Sequence, residues 1–266
     1  MSIPRILLGA ALVAALSMPL VGQQKTTGLY EVACVKVNPG QGTAFGEWVD
    51  GTSHKLNQES ADSGRINNSL VLRTLSPAGT SATCDYVFID FFNGLPPAPG
   101  SGDLAKALHD AGIAMTPAEF YAKRGELGTL VALNYTQTQT LVGEAKKGDY
   151  IVRNEMGAPD AGACLAYEKK VWQPLAEEMV KAGDSDGWVA EMQIFPRGAK
   201  DGDTVSSVDI YPNWDAVFKQ RDSIGNAWKK VHPDMDINNT MEQFGKLCPI
   251  EHTVLYKVVD AVSPKK

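Results

Sequence analysis

Gly28-Leu29-Tyr30-Glu31-Val32 and Gly148-Asp149-Tyr150-Ile151-Val152 decide the fold, because they read as two openings of one unit set 120 residues apart. Working outward, Asn38-Pro39-Gly40 returns as Ala158-Pro159-Asp160 at the same offset. Asp90-Phe91-Phe92 returns as Asp209-Ile210-Tyr211 after 119 residues, and Leu108-His109 as Val231-His232 after 123. Thr116-Pro117-Ala118-Glu119 is answered by Asn239-Thr240-Met241-Glu242, again after 123 residues. Both of the last pair read as capping boxes, in which the first side chain caps a helix and the Glu reaches back. Features kept in one order at nearly one spacing mark an internal repeat. The two copies span 28–142 and 148–262.

Each copy carries the same succession of patterns. Tyr30–Val37 alternates as a strand, Pro39-Gly40 ends it, and Phe45, Trp48, Val49, Thr52 and Leu56 then form one apolar helical stripe. Ile66–Leu75 and Thr83–Phe92 read as strands about a Ser76-Pro77-Ala78-Gly79 turn. Leu104–Ala111 and Pro117–Arg124 read as short helices, and Thr129–Thr138 as the closing strand. The second copy predicts strands at Tyr150–Met156, Trp188–Phe195, Val205–Tyr211 and Thr253–Asp260, with helices over Ala161–Ala182, Asp215–Val231 and Thr240–Lys246. Strand–helix–strand–strand–helix–strand is the ferredoxin-like βαββαβ order of an α+β protein, whose helices cover one face of the sheet. The other face needs a cover, and a tethered second copy supplies it. Two sheets face to face enclose a barrel-like space.

Tyr30-x-Val32, Pro39-Gly40 and Phe45-x-x-Trp48 resemble the opening of the dimeric α+β barrel superfamily, which includes NIPSNAP-like proteins and antibiotic-biosynthesis-type monooxygenases. The resemblance implies an intramolecular pseudo-dimer of what is ordinarily a homodimer, extending over residues 28–262. It implies no single activity, because the superfamily also holds haem enzymes and isomerases. The second copy departs from the pattern at one place: Glu168 stands where the first has Trp48.

Several residues are candidates for chemistry. Asp90 and Asp209 recur on the third strands beside aromatic residues, and a desolvated carboxylate there would suit a general base. His109 and His232 recur at helix ends, where an imidazole can serve as acid, base or haem ligand, or simply complement the helix dipole. Arg153 and Glu155 alternate with the apolar face of their strand. If Ile151 looks into the cavity they form a polar patch there, to hold a ligand or to pair with each other. Glu168 falls on an apolar helical stripe with Leu165, Trp172, Ala176 and Met179, and a Lys or Arg partner or a small helix rotation is its expected accommodation. Gly40-x-Gly42-x-x-x-Gly46 is not the G-x-G-x-x-G spacing of a dinucleotide site. Hydrolase, P-loop, zinc and EF-hand motifs are absent, so neither a metal nor a cofactor is expected.

Composition bounds the partners. The chain of 266 residues has a net charge of −6 with no long basic run, which argues against nucleic acid. Residues 1–22 read as a signal peptide: Arg5, then uncharged Ile6–Leu16, then Ser17, Pro19 and Gly22 before polar Gln23. The apolar stretch is shorter than the roughly 20 residues of a spanning helix, so no stable membrane insertion is expected after cleavage. Four cysteines in an oxidising compartment allow two disulfides. In a ferredoxin-like sheet the closing strand begins near the start of the first helix, which predicts a Cys164–Cys248 bond; Cys34 with Cys84 depends on register. Three functions remain: a binder of a small, partly apolar molecule; a cofactor-independent monooxygenase- or isomerase-like enzyme using barrel Asp and His; and a non-catalytic interaction module. The oligomeric state is left open. The leader is tested by intact mass of the exported protein: an N-terminus between Pro19 and Lys25 is expected, and material still beginning at Met1 would rule cleavage out.

Overall fold

A computed structural model describes residues 28–97, 102–196 and 204–265; the leader segment lies outside them. The first half runs β1 (Leu29–Val37), α1 (Gly42–Trp48), α2 (His54–Asp62), β2 (Asn68–Ser76), β3 (Tyr86–Phe91), α3 (Leu104–Asp110), α4 (Pro117–Leu127) and β4 (Gly128–Gly143). The second runs β5 (Tyr150–Gly157), α5 (Ala161–Tyr167), α6 (Gln173–Ala182), β6 (Gly187–Phe195), β7 (Thr204–Tyr211), α7 (Trp214–Val231), α8 (Ile237–Leu247) and β8 (Ile250–Val262). The strands close into one barrel in the order β1-β3-β2-β8-β5-β7-β6-β4. Each half therefore supplies a four-stranded antiparallel sheet, and the expected α+β pseudo-dimer is the observed architecture.

Local chemistry sets the helix boundaries. Thr116 and Glu119 form the expected reciprocal capping box with Pro117 in the first turn, and Asp160 and Asn213 cap α5 and α7 through backbone N–H groups three residues on. Gly183, at φ +78°, ends α6 in the left-handed region. The second predicted capping box is corrected: Asp236 caps α8 through Asn239 N–H, so Asn239-Thr240-Met241-Glu242 lies within the helix and Thr240 bonds back to the Asp236 carbonyl. A stronger acceptor one turn earlier takes over the cap. The expected continuous helix Ala161–Ala182 carries a π turn at Glu168–Trp172, and a matching π turn, Val49–Ser53, separates α1 from α2. Each inserts an extra residue into the turn and re-aims the side chains around it.

The two closing strands are longer than predicted, and their extra length joins the halves. After pairing with β1, β4 continues along β6 from Tyr135 to Gly143; β8, after pairing with β5, continues along β2 from Leu255 to Val262. A bulge between the Val71 and Leu72 pairings turns Asp260 away from the interior, and His54 Nδ1 on α2 meets it at 3.0 Å. Across the molecule, Thr140 Oγ1 on β4 donates to Gln173 Oε1 on α6 at 2.8 Å. The sulfur atoms of Cys164 and Cys248 lie 2.11 Å apart as expected from topology, and those of Cys34 and Cys84 1.99 Å apart. No helix among the described residues is long and apolar enough to cross a membrane.

The β4–β6 seam depends on close backbone approach at its end. Gly143, at φ +68°, faces Gly187, and a Cβ on Gly143 would stand 2.0 Å from the Asp186 carbonyl oxygen. Gly143→Ala is therefore expected to lose at least about 1–3 kcal/mol for the backbone strain, with a further loss from the clash. Gly112→Ala is the control, since φ is +65° there with open space around it. Chemical denaturation in which the two variants lose equal stability would show that the seam is not tightly closed.

Candidate functional site

The inward face of the barrel is decided by strand alternation. Tyr30 and Val32 on β1, Leu70 and Leu72 on β2, Val87, Ile89 and Phe91 on β3, Ile151 on β5, Val189 on β6, Val208 and Ile210 on β7 and Tyr256 on β8 gather in one cluster. Between them lies a chamber of about 380 Å³. Asn67, Thr138, Gln139, Leu141 and Glu144 also line it.

One wall is polar. Arg153 on β5 follows Ile151 by two residues and so shares its inward face, as does Glu155 beyond it. The Arg153 guanidinium lies 2.7 Å from Glu155 Oε1 and 3.0 Å from Glu191 Oε1, and donates to Ser206 Oγ at 3.1 Å. The Tyr30 hydroxyl donates to the other oxygen of Glu191, carrying the network from the first half into the second. Glu191 is 5% exposed. Burial pushes its carboxyl up, to about 8, and the guanidinium beside it works in the opposite direction by favouring the carboxylate. The predicted Arg153–Glu155 pair is thus formed, and it belongs to a larger cluster. Tyr30 and Glu191 were not singled out from the sequence. The signal for Glu191 is a carboxylate in the middle of the apolar strand Gly187–Phe195; Tyr30 is marked by the Tyr30-x-Val32 opening and by its repetition as Tyr150, which packs instead against Trp214, 5.5 Å away.

The four predicted catalytic residues are not brought together, and none lines the chamber. Asp90 and Asp209 lie on the opposite, helix-facing side of their strands. Asp90 alternates with Tyr86 and Phe88, which pack against Phe45 and Trp48 of α1. Burial pushes its carboxyl up to about 6, with the Ser69 hydroxyl opposing. Asp209 borders a second, smaller cavity beneath the helices of the second half; burial raises its carboxyl to about 7, opposed by the Asn154 amide. His109 is 88% exposed beside Asp110, and His232 Nε2 lies 2.9 Å from the Val171 carbonyl. The first sits at the surface and the second ties α7 to the π turn. The expected partner of Glu168 is also corrected: its two carboxylate oxygens are buried with no hydrogen-bond partner among the described residues. Burial, and then nearby Asp209, push it up to about 8. Among the described residues no group of three His, Cys, Asp or Glu side chains could hold a metal ion.

These shifts share one sign. Glu191, Glu168, Asp209 and Asp90 all hold their protons more tightly folded than unfolded, so folding takes up protons at neutral pH. Their stabilisation is complete below the unfolded values of 3.8 for the Asp and 4.5 for the Glu side chains, and is lost as pH rises through about 6 for Asp90, about 7 for Asp209 and about 8 for Glu168 and Glu191. Tm is expected to fall between pH 5 and pH 8. Glu168→Gln should flatten that slope by roughly 1.4 kcal/mol for each pKa unit that it removes. An identical slope in the variant, followed by thermal melts across the range, would contradict the assignment.

No protein-family model matches the chain, and no curated protein does. Solved structures do. A candidate monooxygenase from Fusobacterium nucleatum superposes with a TM-score of 0.56 at 8% identity, over 88% of this chain and 94% of that one. An anthrone oxidase-like protein gives 0.55 at 15% identity, over 91% and 96%. A candidate monooxygenase from Lactobacillus acidophilus gives 0.53 at 10% identity, over 88% and 95%. At these identities the likeness is one of fold, and the fold is that of a dimeric α+β barrel enclosed within one chain.

Proposed function

We propose that the chain is an exported protein, built as a tandem duplication over 28–142 and 148–262, whose barrel holds a small, mainly apolar molecule with one polar end. The observation that carries this reading is the chamber itself. Its volume of about 380 Å³ falls within the range of small-molecule sites, and its aliphatic and aromatic walls are interrupted by the Arg153 cluster and by polar residues such as Asn67, Gln139 and Glu144. An apolar body would displace poorly held water from Leu70, Val87, Ile89 and Val208. A hydroxyl, carbonyl or carboxylate would then exchange hydrogen bonds with Arg153, Tyr30 or Glu191. Two disulfides suit the oxidising compartment that the leader implies.

A second reading is favoured by Glu191. A buried carboxyl with raised proton affinity, hydrogen-bonded to a phenol, can accept a proton from a bound molecule. The structural neighbours named as monooxygenases make oxidation the reaction class to try first. In this chain such chemistry would run through Glu191 and Tyr30, since Asp90, Asp209, His109 and His232 lie outside the chamber.

Native mass spectrometry against denaturing mass spectrometry of protein from its own compartment is expected to reveal a retained mass lost on denaturation. In solution, 1-naphthol is expected to bind once per chain. Ile89→Trp, which fills the chamber, should weaken that binding at least tenfold at an overpacking cost of about 1–3 kcal/mol in stability. Unchanged 1-naphthol affinity in a folded Ile89→Trp protein would place binding elsewhere and end the reading. Glu191→Gln separates the two functions: it should leave naphthol binding within a fewfold, and abolish turnover if the protein is an oxidase.

A further inference from the structure

The helix layers of the two halves differ at one equivalent place. Counted from the helix starts at Gly42 and Ala161, Glu168 stands opposite the buried Val49, each the first residue of its π turn, so the match of Glu168 with Trp48 expected from the 120-residue offset is corrected by one position and Trp48 answers to Tyr167. In the first half Val49 is buried in an apolar cluster with Phe45, Val71 and Leu127, beside Trp48, whose ring lies 6.3 Å from Phe88 and 5.9 Å from Phe120. In the second half Glu168 holds the place of Val49 at the start of the π turn, and it borders a cavity of about 170 Å³. Asp209, from β7, borders the same cavity. Trp172, Trp188, Tyr211 and Phe244 supply aromatic walls, with Trp172 and Phe244 5.6 Å apart. Met241 and Ile250, each about half exposed, form its outer rim.

We propose that this cavity is a binding site for a small primary amine, held as its ammonium ion between Glu168 and Asp209. The argument begins with Glu168, which is 1% exposed, lines the cavity, and has both carboxylate oxygens buried without a hydrogen-bond partner among the described residues. Burying a carboxyl in this way costs stability unless something meets it. No Lys, Arg or His lines the cavity. An ammonium group brings three N–H donors, enough for both oxygens of Glu168 and one of Asp209. Asn154 lies 3.4 Å from Asp209 Oδ2 and orients it. The aromatic walls suit a cation and its hydrocarbon body alike.

The chemistry selects against a metal. Glu168 and Asp209 are the cavity's two carboxylates, and no group of three His, Cys, Asp or Glu side chains among the described residues could hold a metal ion. Size sets the ligand's scale: an apolar cavity of ~150 Å³ holds a benzene ring, so a single-ring or short alkyl amine fits. The site lies on the helix side of the second sheet. It is separate from the barrel chamber, and it stands whatever the chamber binds.

Benzylamine, with benzyl alcohol as its uncharged counterpart, tests this on the mature full chain. Binding is read by calorimetry and by the indole N–H resonance of Trp172. Benzylamine is expected to saturate at one per chain and move the Trp172 resonance, and benzyl alcohol to bind at least tenfold more weakly. Glu168→Gln and Asp209→Asn should each weaken benzylamine at least tenfold. Equal affinity for amine and alcohol, no saturable shift at Trp172, or full binding by a folded Glu168→Gln protein would each overturn the proposal. Should either variant fail to fold, the comparison of amine with alcohol on the unaltered protein decides.

Discussion

Everything in this molecule depends on β4 and β8 each pairing with two sheets. A single βαββαβ sheet leaves one face bare, and burying that face requires a second sheet held in register. β4 reaches from β1 to β6, and β8 from β5 to β2. The two crossings leave no free sheet edge, which removes the hazard that exposed edges carry. They also lock the halves through contacts that neither half makes alone, among them His54 with Asp260 and Tyr30 with Glu191.

The closed barrel creates two chemically distinct environments on one set of strands. Inward residues form a mainly apolar chamber, in which Arg153 meets two carboxylates and a phenol. Outward residues Asp90 and Asp209 lie beneath helices and are desolvated there, as is Glu168 on the π turn that covers the second sheet. The contrast matters energetically. Burial raises the proton affinity of the acids on both faces, and Glu191 has a guanidinium beside it that opposes the shift. Acids on the two faces therefore do different work, although the same alternating strands carry them.

The pseudo-symmetry is informative where it fails. The two π turns occupy corresponding places, so the backbone device is shared. Their first residues differ: Val49 is buried in an apolar cluster in one half, and Glu168 borders a small cavity in the other. A fold with two similar halves can keep one for packing and release the other to bind.

Much of the fold was legible in the chain. The offset near 120 residues, the alternating strands and the apolar helical stripes depend on local periodicity, which tertiary contacts only reinforce. Arg153 and Glu155 were legible as a polar patch for the same reason, since alternation ties them to Ile151. The Cys164–Cys248 pairing followed from which strands must neighbour each other. Which face of a strand looks inward was not legible. Tyr86-x-Phe88-x-Asp90 and Val87-x-Ile89-x-Phe91 are both apolar enough to be buried, and both are: one beneath helices and one inside the barrel. That choice placed Asp90 and Asp209 under helices, left His109 at the surface, and brought Tyr30 to Glu191 across 161 residues of chain. Periodicity by itself determined the elements and their order. Only barrel closure, acting through the summed packing of distant residues, decided which side chains share a cavity.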